Sequence, residues 1–404
     1  MHGSLKLIMI KLNPIFFPSS KSLVVFGRNK LNGTDAIMPL LLELAEIKNK
    51  KIIFCVANFN LAYKSIKKNV LFNDILVQYG SLNLLGGISK VKVLRYFIWV
   101  LQLSLIFSQG IAGAKIIHYG ELNKFPFKLL RIAFRKRVFL IENNTNETYY
   151  GKAIEEIGRI KIGKIKKFKK SYLFDENCLD DRIIYRKSTM KLYDEKSEYK
   201  FFYFGRSRSR SFWLNYIADN KIKYFEKYNP KVASMKCVVI IGTWYHGCFY
   251  NNVSDVFEKM LDSFQERFAD QYFLFKPHPL SDMSYVEKEF EKRNLKYEIT
   301  YLHPNLLALQ AKVFIGNNFS NMMTDGALMK IPIIEFSNYI DELLEITGGK
   351  STSSKFVDYF IDNDVNEFVD SLNNIISNPS KFDNILTSLK IDQPEAAKVI
   401  NLLE

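Results

Sequence analysis

The sequence is short of the residues that build metal and redox sites. It has four cysteines and five histidines in 404 residues. Cys55, Cys178, Cys237 and Cys248 stand far apart, with no CxxC pair. That spacing excludes a disulfide framework and reads as reduced thiols in a cytosolic protein. No His/Cys cluster has zinc spacing. No DxD-like pair of acids closes an apolar run, which argues against a site built around a divalent metal. TGGKSTS, residues 347–353, mimics the tail of a phosphate-binding loop. The first glycine of such a loop would fall on Leu344, so the match fails. Acids are scarce as well: 42 against 57 Lys and Arg, a net charge of +15. Such an excess suggests a polyanionic partner: nucleic acid, an anionic membrane face, or an acidic small molecule or polymer. There is no repeat of solenoid length. Residues 1–20 hold a short apolar patch but no cleavage site after a long apolar core, which reads as no signal peptide.

What is present is a globular composition, 48% hydrophobic and 14% aromatic, in a chain long enough for two domains with full cores. Strand-like apolar runs alternate with helical patterns. SLVVFG, KIIFCVAN, AKIIHYGE and RVFLIE mark strands in the first part of the chain, with helical stretches between them. KCVVIIGT, QYFLFKP, YEITYL, KVFIGN and IPIIEF repeat the rhythm later. Such alternation predicts an α/β protein with parallel sheets covered on both faces. The expected division is a first Rossmann-like domain over residues 20–175, a charged linker over 176–198, a second Rossmann-like domain over 199–382, and a C-terminal helix over 383–404.

Three stretches bear on partners. Residues 96–114, YFIWVLQLSLIFSQGIAGA, are nearly uncharged and almost long enough to span a bilayer. Gln102, Ser104, Ser108 and Gln109 dilute the run, so it reads as a buried helix of an α/β layer, with a membrane-dipping helix as the alternative. The run RIKIGKIKKFKK, residues 159–170, holds seven positive residues and no acid. It reads either as a solvated edge or as contact with an anionic membrane face or polyanionic acceptor through residues such as Lys166 and Lys167. Arg206, Arg208 and Arg210 in GRSRSRSFW can bind nucleic acid, but no recognition fold accompanies them, so no nucleic-acid partner is expected.

Ligands of open α/β sheets bind beyond the carboxyl ends of the strands, and three strand exits here carry chemistry. In FLIENNTNE, Glu142 sits where the strand stops, fit to take a proton from an attacking hydroxyl. Asn143, Asn144, Thr145 and Asn146 equally suit a turn and helix cap. Glu147 is a rival base and Glu121, ending the preceding strand, a third. In FKPHPLSD, two prolines fix the backbone around Lys276 and His278. Both side chains offer donors to a phosphate, with Pro279 beside them. His303, in the other His-Pro pair, reads as structural. In FIGNNFSNMMTDGALMKIPIIEF, a strand ends at Gly316 and a helix begins near Ser320, so free backbone N–H groups make an anion site. Asn318, Ser320, Asn321 and Thr324 add donors, and Glu335 can accept from a ribose hydroxyl or a base amine. Asp325 does not suit a phosphate and fits sugar hydroxyls or local packing. Gly242 and Thr243 end the first strand of this half and face the same cleft.

At these three exits the chain resembles bacterial GT-B sialyltransferases, the polysialyltransferase type most of all. FLIENNTNETY stands in place of that family's acidic motif, FKPHP in place of its His-Pro motif, and GNNFSNMMT in place of its Ser/Thr motif. The resemblance implies two Rossmann-like domains with the active site in the cleft between them. It implies an inverting transfer without metal or other cofactor, in which a CMP-activated nonulosonate is the donor. The acceptor would be an anionic surface glycan or lipid-linked chain. It implies a base from the first motif and CMP phosphate contacts from His278 and Ser320. The pattern departs at the base itself, where the family's second acid is replaced by Asn143. NNFSNMMTD also resembles a motif of teichoic-acid-type polyol-phosphate polymerases through Ser320 and Asp325, without that motif's first Ser-Asp. Both families use cytidine nucleotides. The remaining alternative is a non-catalytic basic protein that binds nucleic acid or membrane.

Overall fold

The apolar runs that read as strands are strands, and they are parallel. The computed structural model describes residues 13–27, 31–57, 60–119, 121–123, 125–141, 182–185, 200–203, 207–242, 250–278, 281–317, 320–352, 354–378 and 396–404. The first sheet comprises β1 (Ser22–Gly27), β2 (Lys51–Ala57), β3 (Gly80–Leu85), β4 (Lys115–His118), β5 (Val138–Ile141), β6 (Arg182–Tyr185) and β7 (Lys200–Tyr203). Its order is β3-β2-β1-β4-β5-β6-β7. Every pair in it is parallel. Between the strands run α1 (Leu31–Ile47), α2 (Asn60–Lys68), α3 (Val70–Tyr79), α4 (Lys92–Ile111) and α5 (Lys128–Ala133).

The second sheet holds β8 (Cys237–Ile241), β9 (Phe273–Lys276), β10 (Tyr297–Ile299), β11 (Ala311–Gly316), β12 (Ile333–Ser337) and β13 (Tyr359–Asp362), in the order β10-β9-β8-β11-β12-β13. Its helices are α6 (Ser211–Tyr228), α7 (Val253–Arg267), α8 (Met283–Lys292), α9 (Pro304–Ala308), α10 (Asn321–Leu328), α11 (Asp341–Thr347) and α12 (Val365–Ser377). In each sheet the strand order reverses once, at β1/β4 and at β8/β11. Those switch points open crevices where ligands bind.

Side chains on successive strand residues point to opposite faces, and each sheet buries both. In the first, Leu23, Val25, Ile52 and Phe54 join one core, while Val24, Phe26, Ile53 and Cys55 join another beneath α4 and α5. Each buried branched side chain contributes about 1.5–3 kcal/mol. The first of these cores continues into the second domain, where Trp213, Leu306, Phe314 and Ile333 belong to it. The last helix, α13 (Ala396–Leu403), packs Val399, Ile400 and Leu403 into the same core. Lys48 Nζ holds Glu404 Oε2 at 2.6 Å beside it.

Two expectations are corrected. The stretch 176–198 was expected to be a linker, and residue 199 to open the second domain. β6 falls inside that stretch and β7 just beyond it, and both extend the first sheet. Each is four residues long and flanked by charges, as peripheral strands commonly are, and so short a run barely registers as apolar. The run 96–114 was expected to be a buried helix. Its helix, α4, is exposed along half its residues, and only Ile106, Gln109 and Gly110 are buried. Apolar composition cannot say which layer, if any, covers a helix.

Candidate active site

The exits of the second sheet form one level edge. Gly316 pairs with Ile241, Ile241 with Lys276, and Gly316 with Glu335 on its other side. Gly242 continues from β8 and donates its N–H to the Lys276 carbonyl at 3.0 Å. A Cβ at Gly242 would lie 2.6 Å from the Phe275 ring, so any larger residue there would push that ring aside.

Beyond Lys276 the chain turns at once. His278 N–H donates to Ser281 Oγ at 3.0 Å, and the Ser281 N–H returns to the His278 carbonyl at 2.9 Å. Asp282 then caps α8 by accepting from the Ser284 and Tyr285 N–H groups. His278 is thus held, half-buried, at the strand exit. The Lys276 side chain is buried, and burial pulls its ammonium down to about 8 against a partial opposing pull from Asp35. It lies 5.9 Å from the Tyr301 ring centre, and Lys68 of the first domain lies 5.6 Å from the same ring. Two ammonium groups, one from each domain, therefore converge on one aromatic ring.

Ser320 caps α10 by accepting from the Met322 N–H, and Asn321 is the first residue of that helix. Thr324 is buried, and its Oγ1 finds no hydrogen-bond partner among the described residues. A buried hydroxyl without a partner is costly and calls for an explanation. Glu335 is fully buried, and its carboxylate accepts from Ser337 at 3.2 Å, Tyr339 at 2.7 Å and Ser351 at 2.6 Å. Those three hydroxyls occupy the lone pairs that were expected to meet a ribose or base. Glu121 accepts from the Tyr119 N–H at 2.7 Å and so closes its own turn.

A chain of charges joins the domains beside this edge. Asp35, near the start of α1, meets His303 Nε2 at 2.7 Å and also pairs with Arg208. Arg208 Nη1 continues to Asp325 Oδ2, on α10, at 2.8 Å. His303 Nδ1 accepts from the Asn305 N–H at 3.1 Å, so the ring proton sits on Nε2 and points at Asp35. Burial drives the His303 imidazole below its ordinary value, and the ring stays neutral. Burial alone would raise the Asp35 carboxyl, but Arg208 and then His303 overcome it and hold it below the usual range. A carboxylate so engaged is a poor general base, and Asp35 acts as a strut between domains.

His303, read as structural, is structural: it caps α9 and packs between Phe72 and Trp213. Arg208 and Arg210, considered for nucleic acid, are instead paired, Arg210 with both oxygens of Glu43 at 2.7 and 3.0 Å. Asp35 escaped the sequence reading because nothing local distinguishes it from any acid in a helix's first turns. Glu142, Glu147, Lys166, Lys167, Thr243, Pro279 and Asn318 lie outside the described residues. No group of three metal-binding side chains occurs among the described residues.

Two Rossmann-like halves, each with its switch-point crevice, face one another across this charge chain. The fold is GT-B. A UDP-GlcNAc 2-epimerase from Neisseria meningitidis solved with UDP-GlcNAc superposes with a TM-score of 0.55 at 13% identity, over 94% of this chain and 98% of that one. A wall teichoic acid polymerase superposes at 0.52 and 14% identity, over 96% and 89%. An O. sativa protein in complex with UDP superposes at 0.51 and 10% identity, over 93% and 98%. No protein-family model matches the chain, and no curated protein matches it in sequence. The GT-B likeness extends over nearly the whole length, and it is a likeness of fold.

Proposed function

We propose that the chain is a glycosyltransferase that takes its sugar from a nucleotide-activated donor held on the second domain. The carrying observation is the level edge on which Ile241, Lys276 and Gly316 are in register, with Gly242 and His278 just beyond it and α10 following Gly316, its Thr324 hydroxyl buried with no partner among the described residues. A buried ammonium, an imidazole whose backbone is held at the strand exit and the N-terminal end of α10 suit a phosphate leaving group. GT-B neighbours solved with UDP or UDP-GlcNAc support a nucleotide-sugar as the ligand class.

The finer reading is a CMP-linked nonulosonate passed with inversion to a bacterial surface glycan. It rests on the His-Pro and Ser motifs around His278 and Ser320. The acceptor hydroxyl oxygen bonds to the anomeric carbon while the bond from that carbon to the CMP phosphate oxygen breaks. CMP leaves with the bonding pair, its charge met by Lys276 and His278. A first-domain carboxylate takes the hydroxyl proton, with Glu142 ahead of Glu147. A second reading, transfer of a polyol phosphate from a CDP donor, draws support from the teichoic acid polymerase fold. The chemistry suits a protein on the cytoplasmic side of the membrane.

The test is thermal denaturation of the full chain with CMP, CDP, UDP or GDP in the presence of a chelator. Stabilisation by the cytidine nucleotides above the others supports the cytidine reading. A preference for UDP keeps the glycosyltransferase and overturns the cytidine donor. No response to any nucleotide overturns both.

A further inference from the structure

We propose that α4 and the segments packed against it dock on an anionic lipid bilayer, lying on the surface without crossing it. The warrant is an apolar face that the protein leaves uncovered. Val93, Phe97, Val100, Leu101 and Ile111 fall on one side of α4 at helical spacing, with Val93 79% and Phe97 65% exposed. A soluble surface rarely exposes so continuous a stripe unless something binds it. The polar interruptions do not require water: Ser104 Oγ donates to the Val100 carbonyl and Ser108 Oγ to the Ser104 carbonyl, each at 3.1 Å.

The segments packed on α4 also expose apolar side chains. The stretch before and along α5 leans on α4 through Phe127 against Trp99 and Phe134 against Phe107, both pairs 5.8 Å apart. It exposes Phe125, Leu129 and Ile132. The segment before β1 is tied to α4 by Gln109, which donates to the Pro14 and Ile15 carbonyls, and it exposes Phe16 and Phe17.

Charge selects the occupant. No acid occurs between Ile75 and Gly120, while Lys90, Lys92 and Arg95 crowd the start of α4. Positive charge there opposes the helix dipole, and no side chain caps that end. The arrangement therefore does nothing for the helix itself and suits anionic headgroups. Tyr96 and Trp99, stacked at 6.0 Å, stand beside these cations, where amphipathic rings sit at a membrane interface. The opposite side of α4 is anchored: Gln102 accepts from the Gly86 N–H at 2.8 Å and donates to the Leu84 carbonyl at 3.2 Å. A helix pinned along the domain by both glutamines lies flat and does not insert end-on. Since α4 leaves the carboxyl end of β3, its basic end sits at the cleft side of the sheet, so docking would bring the cleft to the membrane.

The experiment is co-sedimentation of the full chain with vesicles of phosphatidylcholine alone or with added phosphatidylglycerol. Pelleting with the anionic vesicles only, weakened by salt, is the expected result. The double variant Phe97→Asp with Leu101→Asp, both exposed, should keep the wild-type melting temperature and lose binding on the order of tenfold. Brominated lipid should quench tryptophan fluorescence in the wild type and not in Trp99→Phe. Absence of pelleting overturns the proposal, as does unchanged binding of the double variant. A concentration-dependent dimer that the double variant dissolves would also overturn it, since a second copy would then cover the face. None of these readouts involves a nucleotide, so the donor reading can fail without affecting them.

Discussion

His303 Nε2 lies 2.7 Å from the Asp35 carboxylate, although 268 residues separate the two. The contact joins the first helix of one domain to the cap of α9 in the other. His303→Ala removes this hydrogen bond, the cap on Asn305 and the packing against Trp213. Arg208 still holds Asp35, so no buried charge is stranded. A charge-assisted bond of this kind is worth about 1.5–3 kcal/mol, and a loss of at least that size is expected in denaturant titration. Arg208→Ala should cost more, because it leaves both Asp35 and Asp325 without their cation.

The same pair makes the fold sensitive to acid. Below 6.5 the unfolded chain protonates His303 while the folded ring, buried and lowered, does not. The unfolded state then binds more protons, and stability falls as pH drops. Asp35 adds to this at lower pH. Its contribution is present above 3.8 and is lost as pH falls through its depressed folded value. Melting temperature followed against pH should decline in two stages. His303→Gln should flatten the first stage and leave the second.

Lys276 gives a signature on the alkaline side. Its folded value is about 8 against 10.5 unfolded. Between those values the unfolded chain holds a proton that the folded chain has lost, so stability rises with pH across that window. Affinity for a nucleotide phosphate should move the other way, weakening as pH climbs through about 8 and the ammonium discharges. Isothermal titration with CMP or CDP should show this slope. Lys276→Met should bind roughly tenfold or more weakly, with a flat profile.

His278 and the candidate bases separate by kinetics. His278→Ala should lower turnover and weaken the nucleotide site without lowering the melting temperature. Unchanged kinetics would make the imidazole a structural element of the turn it shares with Ser281. Glu142→Gln should keep nucleotide binding and lose transfer by about 10²–10⁴-fold, with Glu147→Gln milder. The reverse order moves the base to Glu147. If neither matters, Glu121 is next, although its carboxylate already serves the Tyr119 N–H.

Much of this protein was open to local reading. An apolar run of four to seven residues between turn signals can only be a buried strand or part of a core helix, and alternation with helical periods selects parallel sheets. Lys276 and Gly242 could be placed at strand exits because each directly ends or follows such a run, whereas β12 continues two residues past Glu335 to Ser337. That Glu335 would be enclosed by Ser337, Tyr339 and Ser351 was not legible, since Ser351 reaches it from 16 residues away.

What the sequence by itself determined is therefore the kind of fold and the edge on which ligands gather. Both follow from the period of apolar residues and from glycine and proline at strand ends, and these act over a few residues. Only the tertiary structure decided that β6 and β7 join the first sheet, since four-residue strands are specified by the neighbours they pair with. It alone paired Arg208 with its acids, because those lie 173 residues before it and on α10 after it. It also left α4 uncovered. Hydrophobicity records how strongly a helix avoids water, and the packing of the whole chain decides whether protein supplies the cover.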